Sequence, residues 1–420
     1  SSSPATGCVQ SVACKERPRE ILNVSKAESF DLAVIGAGPG GYSAAIHAAH
    51  RGMKVAIVEK DTRLGGTCLL RGCIPTKALL HSADLYDEVK HGAEHGIVVS
   101  ELSLAFDKVM ARKDKIVTKN SKGVEFLMRK NKITVFNGFG RLDGKKKIAV
   151  ESNGDTKSLE VANVILATGS VPRVLPGVTI DGKRILTSDE ILELKELPKS
   201  LLVLGAGAVG VEFASIFHRF GVDVTIVELL PRLVPIEDEE VSDALAKAFK
   251  KTGIKVHVGT KLENIRVTPS GVAADGVSDK GTPPLEAEML LIAVGRKPVT
   301  DSIGLDGTGA VVDRGYIKVD EFMRTGEPGV YAIGDVVPTP WLAHVASHEG
   351  VVAADHMTNN HPHAIDYERG VPGVTFCHPE IGSIGLTEAK AIEKGYDVKV
   401  GRFPWTANGK ANILGNTTGF

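Results

Sequence analysis

A charge excess of either sign is missing from this chain. Fifty lysines and arginines face fifty-one aspartates and glutamates, a net charge of −1 over 420 residues. That balance leaves no electrostatic footprint for nucleic acid or for an anionic membrane. The one compact basic run, Lys145-Lys146-Lys147, follows Asp143-Gly144 and precedes apolar residues, the pattern of a solvated hairpin turn. A membrane span is missing too, because glycines interrupt every apolar run well short of the roughly eighteen residues required. Cysteine is scarce. Five in the whole chain do not make a disulfide framework. Cys8 and Cys14 lie in a polar N-terminal arm, residues 1–29, that lacks strand or helix periodicity and any second ligand pair, so free thiols and no metal are expected there. The arm has no apolar core of secretory type. The chain opens on Ser1 rather than methionine, as a processed or truncated polypeptide would.

What remains is a soluble globular balance, 43% hydrophobic and 24% charged, with length for roughly two to four domains. Two of the five cysteines stand close together in Gly65-Gly66-Thr67-Cys68-Leu69-Leu70-Arg71-Gly72-Cys73-Ile74-Pro75-Thr76-Lys77. On a regular α-helix that spacing leaves the Cα atoms roughly 8–9 Å apart. A disulfide needs about 4.4–6.8 Å. Pairing would therefore require a distorted helix, which Gly72 and Pro75 permit. Two cysteines that never pair is the other reading of this stretch. A close pair in a chain otherwise poor in cysteine fits catalysis in a reducing compartment better than extracellular stapling.

A single unit occurs twice. Asp31-Leu-Ala-Val-Ile35 reads as a buried strand, Gly36-Ala37-Gly38-Pro39-Gly40-Gly41 as a turn, the alanine-rich segment to His50 as a helix, and Lys54-Val-Ala-Ile-Val58 as a second strand ending at Glu59. This is the dinucleotide fingerprint in its required context. Gly36 makes the tight turn, Gly38 admits the pyrophosphate to the backbone, and Gly41 lets helix and strand pack. Leu201-Leu-Val-Leu204, Gly205-Ala206-Gly207-Ala208-Val209-Gly210 and Val224-Thr-Ile-Val227-Glu228 repeat the pattern. In each copy the acid follows the first glycine by twenty-three residues. Glu59 and Glu228 are placed to accept hydrogen bonds from a ribose. Glu228 favours NAD over NADP, since a 2′-phosphate would be repelled. Leu229 and Leu230 occupy the place of a phosphate-binding arginine, and Pro231 is expected to turn Arg232 elsewhere.

Val164-Ile-Leu-Ala-Thr-Gly169-Ser170 and Met289-Leu-Leu-Ile-Ala-Val-Gly295 read as strands returning under each nucleotide and then crossing between domains. Val330-Tyr-Ala-Ile-Gly334-Asp335 is a further buried strand with a carboxylate at its carboxyl end, the end that faces ligand in an open α/β sheet; a structural turn aspartate is the alternative.

These stretches together, from about Phe30 to Phe420, resemble the FAD-dependent pyridine-nucleotide disulfide oxidoreductases. The most specific element is Gly65-Gly-Thr-Cys68 through Gly72-Cys73-Ile-Pro-Thr-Lys77-Ala-Leu-Leu80, whose continuation is similar to the lipoamide branch rather than the glutathione branch. Ala167-Thr-Gly-Ser170, Ala293-Val-Gly-Arg-Lys-Pro298 and Tyr331-Ala-Ile-Gly-Asp335 also match. The resemblance implies an α/β fold of two doubly wound Rossmann-like domains. An NAD domain (176–299) is inserted into an FAD domain (30–175, continuing through 300–366), and an incomplete α+β interface domain follows (367–420). It implies that Gly36, Gly38, Gly41, Glu59, Lys60, Thr67, Lys77, Gly140, Thr168, Gly169, Ser170 and Asp335 hold FAD, with Trp341, Leu342, Ala343 and His344 against the flavin. Gly205, Gly207, Gly210, Glu212, Glu228 and Gly295 would hold NAD. Cys68 would be the interchange thiol that meets substrate and Cys73 the thiol touching the flavin. Lys77 would sit at the flavin and pair with Glu212.

The implied reaction is oxidation of dihydrolipoyl groups by NAD, in 2-oxo-acid dehydrogenase or glycine-cleavage systems, with a lipoyl-bearing acyltransferase or carrier protein as substrate. The family is homodimeric, and the implied location is the cytoplasm of a bacterium or an organelle matrix. A sibling reductase of mercuric ion or glutathione type is one alternative, and a flavin-binding subunit without lipoyl turnover is another. Val374 to Glu388 resembles the start of the interface domain, which in the family continues to an acid–base histidine backed by a glutamate. Phe420 comes before that region, so weakened dimerisation and poor lipoyl turnover are expected of the 420-residue chain. His378 aligns with the start of the interface domain, and structural or backbone roles are expected for His344 and His348.

Overall fold

The computed structural model of the protein describes residues 28–144, 146–279 and 281–420; Cys8, Cys14 and Lys145 lie outside them. The first unit begins with β1 (Ser29–Ile35), α1 (Pro39–His50) and β2 (Val55–Glu59). Two helices with a break between them follow, α2 (Gly66–Arg71) and α3 (Cys73–Lys90), then the long α4 (Phe106–Lys130). β3 (Thr134–Asn137), β4 (Phe139–Leu142), β5 (Lys147–Ser152) and β6 (Asp155–Leu166) complete it, and β7 (Ser170–Pro172) leaves it. The sheet runs β3-β2-β1-β6-β5-β4. β3, β2, β1 and the carboxyl half of β6 are parallel, while β4 and β5 form an antiparallel hairpin against its amino half. Leu32, Ala33 and Val34 are fully buried, as expected of a central parallel strand covered on both faces. Lys147 opens β5 just past the hairpin turn, where the basic run was expected.

The second unit repeats the first. It contains β8 (Ile185–Leu186), β9 (Ser200–Leu204), α5 (Ala208–Arg219), β10 (Asp223–Val227), α6 (Glu239–Thr252) and β11 (Lys255–His257). A three-stranded antiparallel sheet follows, β12 (Lys261–Thr268), β13 (Gly271–Val277) and β14 (Leu285–Ala287), before β15 (Met289–Ile292) returns. The main sheet is wholly parallel, β11-β10-β9-β15-β8. The repeat extends to backbone detail. Gly36 and Gly205 have φ of 106° and 105°, and a Cβ on Gly41 or on Gly210 would lie 1.9 Å from the carbonyl oxygen of Gly36 or Gly205. Neither helix start tolerates a side chain there.

β16 (Arg296–Pro298) re-enters the first unit by pairing antiparallel with β7, Ser170 opposite Pro298. After the small hairpin β17 (Val312–Asp313) and β18 (Tyr316–Ile317), β19 (Val330–Ala332) adds to the first sheet beside β6, and α7 (Ala343–Met357) packs on α1. The chain then forms the hairpin β20 (Pro372–Thr375) and β21 (Ile381–Ile384) and two short helices, α8 (Glu388–Glu393) and α9 (Gly409–Ile413).

One apolar core crosses the unit boundaries. Leu79, Leu80 and Ala83 of α3 and Phe106 and Met110 of α4 pack with Phe213 and Phe217 of α5, and Cys377 and Ile381 join them. Burying each large side chain of that set stabilises by about 1.5–3 kcal/mol. The cysteine-bearing segment is thereby packed against the second nucleotide unit.

Candidate functional site

Cys68 lies in α2 and Cys73 is the first residue of α3. Between them Gly72, at φ −142° and ψ −111°, breaks the helix, where the distortion that pairing would require was expected. Pro75 sits in the first turn of α3, where a missing N–H costs nothing. Both cysteines are free thiols, within hydrogen-bonding reach of each other, and they are not equivalent. The hydrogen bond from Cys68, helped by the charge of Lys77, lowers the Cys73 pKa to about 7. The same hydrogen bond, burial and repulsion push Cys68 up. Of the two thiols Cys73 is the more acidic.

Four residues on, Lys77 Nζ lies 2.8 Å from both carboxylate oxygens of Glu212 on α5. Glu212 is buried and also accepts the amide of Phe376 at 2.9 Å, and the Phe376 ring lies under the ammonium, 4.8 Å from ring centre to Nζ. Three parts of the chain, α3, α5 and the start of the last unit, thus fix one cation beside the thiols.

A single cleft with a cavity volume of about 370 Å³, partly open to solvent, joins these groups to the first fingerprint. Gly36, Gly38, Glu59, Lys60, Thr67 and Gly140 line it, as do Thr168, Gly169, Ser170, Asp335, Leu342 and Ala343, together with Lys77, Glu212 and both cysteines. Of the residues expected at FAD, Gly41 lies behind the wall as a packing glycine, and His344 is exposed in the first turn of α7, outside the lining. The helix start at Gly38 carries no side-chain cap and no acid in its first turn, which leaves its N–H groups for an anion. A Cβ on Gly66 would come within 2.4 Å of Gly38 Cα, so the cradle admits only bare backbone there. Glu59 lines the cleft too, accepting the amides of Ala37 at 2.8 Å and Asp61 at 2.9 Å; burial raises its pKa, and the Ala37 amide and the charge of Lys60 oppose the rise. Uncapped helix, glycine cradle and terminal carboxylate fit an adenine dinucleotide.

The second fingerprint has the same construction. Glu228 is buried and accepts the amides of Ala206 and Leu230, each at 2.7 Å. Gly207 is the uncapped N-cap of α5, and Gly295 forms the turn after β15 at φ 100°. Arg232 turns its guanidinium to the carbonyls of Pro235 (3.1 Å) and Glu237 (3.5 Å), away from a 2′-phosphate position beside Glu228. Leu229 and Leu230 are exposed there instead.

Sequence reasoning passed over Arg296. Its half-buried guanidinium donates to Ser170 Oγ at 2.7 Å and Ser170 O at 2.8 Å, and Ser170 Oγ donates to Asp335 at 2.5 Å. The signal was its place between Gly295 and Pro298 in a stretch already singled out. Asp189, in the lining of the same cleft, had none. His378 lies outside the lining, its amide donating to Ser215 Oγ at 2.9 Å. Among the described residues no cluster of three His, Cys, Asp or Glu suits a metal ion, and no helix is long and apolar enough to cross a membrane.

Residues 30–350 match the family described as pyridine nucleotide-disulphide oxidoreductase, and residues 371–420 match its dimerisation domain. The chain is 48% identical over 398 residues to a dihydrolipoyl dehydrogenase of Chlorobaculum parvum, covering 94% of this chain and 84% of that one. It is 43% identical over 405 residues to a dihydrolipoyl dehydrogenase of Bacillus subtilis, covering 94% and 85%. Among solved structures, LpdA from Mycobacterium tuberculosis superposes with a TM-score of 0.87 at 27% identity, covering 94% of this chain and 86% of that one. The chain belongs to the pyridine nucleotide-disulphide oxidoreductase family. It is an oxidoreductase of the FAD-dependent disulfide type, with FAD and NAD as its cofactors.

Proposed function

We propose that the protein oxidises the dihydrolipoyl groups of a lipoyl-bearing acyltransferase or carrier protein, with NAD as final acceptor. The observation that carries the reading is the inequivalent cysteine pair in the dinucleotide cleft, with Lys77 held beside it by Glu212. In the oxidised protein Cys68 and Cys73 form the disulfide. A substrate thiolate attacks the Cys68 sulfur, the S–S bond breaks, and Cys73 leaves as thiolate, its low pKa making it the better leaving group. The second substrate thiol then displaces Cys68. The products are a lipoyl disulfide and the reduced cysteine pair; two electrons have entered the protein, and of the two protons lost from the substrate thiols one goes to Cys68 while the other, with Cys73 kept as thiolate, is released to solvent. FAD, when bound, supplies the carrier between this dithiol and NAD. Lys77 offsets the negative charge on Cys73, and Glu212 aims the ammonium.

FAD is assigned to the first fingerprint, from Gly36 and Gly38 to Glu59 and Lys60, with Thr67, Lys77, Gly140, Thr168, Gly169, Ser170, Asp335, Leu342 and Ala343; NAD is assigned to Gly205, Gly207, Glu228 and Gly295, while Gly210, like Gly41, is a packing glycine and Glu212, expected at NAD, is engaged by Lys77 in the first cleft. Thiol chemistry of this kind belongs in a reducing compartment. Steady-state NADH oxidation by the native protein with lipoamide, glutathione disulfide and Hg(II) in parallel tests the reading. Lipoamide should be reduced fastest, by at least about a hundredfold over glutathione disulfide. A preference for glutathione disulfide or Hg(II) overturns it.

A further inference from the structure

One buried acid has no part in that chemistry. Glu349 lies in the middle of α7, within a face otherwise made of Val345, Ala346, Gly350 and Ala353, and is 0% exposed. Among the described residues no lysine, arginine or histidine nitrogen comes within 4.0 Å of it. Its two oxygens have separate tasks. One accepts the amide of Gly334 at 2.6 Å, the other the hydroxyl of Tyr367 at 3.0 Å. Burial raises its pKa, the hydrogen bonds from Gly334 and Tyr367 oppose the rise, and nearby Asp335 adds to it.

A buried carboxyl without a cation is costly, and an apolar residue would pack α7 on α1 as well. What the carboxyl does is hold a turn. Gly334 has φ 71° and precedes Asp335, which accepts from Ser170 Oγ, itself bound to Arg296. Tyr367 lies four residues before the match to the dimerisation domain begins at 371. Through one side chain the cofactor-facing turn is tied to the segment that leads into that domain.

We infer that Glu349 is a positioning residue for FAD: by clamping the Gly334 amide, with Tyr367 as its second arm, it presents Asp335 to the cofactor. The inference rests on the assignment of Asp335 to FAD. Glu349→Gln is close to isosteric, but its one remaining acceptor cannot serve both the amide and the hydroxyl in the same way. The test is a double-mutant cycle of Glu349→Gln and Asp335→Asn, read as the FAD dissociation constant of the full chain by flavin fluorescence. Amide hydrogen exchange across 333–337 and the melting temperature are measured on the apoprotein. Each single variant should weaken FAD about tenfold, or ~1.4 kcal/mol. The double variant should be little worse than either, since both act through one group. Exchange at Gly334 and Asp335 should rise in Glu349→Gln even without FAD. Should that variant fail to fold, Tyr367→Phe serves the same cycle, because it removes one donor and leaves the carboxylate in place. Unchanged FAD affinity in Glu349→Gln, or fully additive losses, overturns the inference and leaves Asp335 assigned. Unchanged affinity in Asp335→Asn overturns the assignment and the inference with it.

Discussion

Lys77 and Glu212 are 135 residues apart in the chain, yet the ammonium of one lies 2.8 Å from both carboxylate oxygens of the other. The pair spans the seam between the two nucleotide units, and the cation it fixes is four residues from the more acidic thiol. Removing that charge should be visible at Cys73.

In reduced holoprotein the Cys73 thiolate predominates above about pH 7, because its pKa is lowered to that value. Any long-wavelength thiolate–flavin absorbance should fade as the pH falls through about 7. Lys77→Met should move that titration upward. A band titrating at the same pH in both proteins would show that the Lys77 charge does not contribute.

The two cysteines should give opposite spectra. Cys68→Ser leaves a lone thiolate at Cys73 and keeps the band, whereas Cys73→Ser removes it. The basis is the inequivalence of the two thiols and the closer sequence neighbourhood of Cys73 and Lys77. Absorbance spectra of the two reduced variants, with the band surviving only in Cys73→Ser, would reverse the assignment.

Cofactor choice should follow Glu228. Its carboxylate is buried and fixed by two backbone amides, with Arg232 turned away, so a 2′-phosphate meets a charge of its own sign. Such like-charge contact costs on the order of several kcal/mol. NADH should therefore reduce the flavin far faster than NADPH in stopped-flow traces, and Glu228→Ala should narrow the difference. Equal rates in the unmodified protein would contradict this.

The shared core should be as important to the site as to stability. Phe217 is 1% exposed, and Phe217→Ala should cost about 3–5 kcal/mol in denaturant unfolding. Because α5 also carries Glu212, the variant should loosen the Lys77 pair and lower the affinity for NAD. A full loss of stability with an unaltered Cys73 titration would separate core from site.

Much of this was legible in the residues because the local rules agree with one another. The two fingerprints place glycine, helix and acid at equal spacing, and each demand is met within about thirty residues of chain. The break at Gly72 likewise follows from the distance a disulfide needs. Pairings across the chain left weaker traces. Lys77 and Glu212 each look like an ordinary helix charge, and only the family pattern joined them. Arg296 reaches Ser170 because β16 lies against β7, a relation that no local spacing encodes. Glu349 did leave a mark, a charge in the apolar register of a helix. Reading it required knowing that Gly334 and Tyr367 stand on either side.

The two crossings between nucleotide units form one ribbon, with Ser170 opposite Pro298 and Pro172 opposite Arg296. The inserted unit therefore hangs from its host by a closed neck, like a module whose two leads enter one socket. Such a unit can be exchanged without lengthening the host chain, since its ends already meet. The obstacle is elsewhere. Leu79, Leu80, Phe106 and Met110 belong to the host yet pack against the guest's Phe213 and Phe217. A transplanted nucleotide unit would need to carry a matching face for α3 and α4, or it would leave the cysteine-bearing helix without its backing.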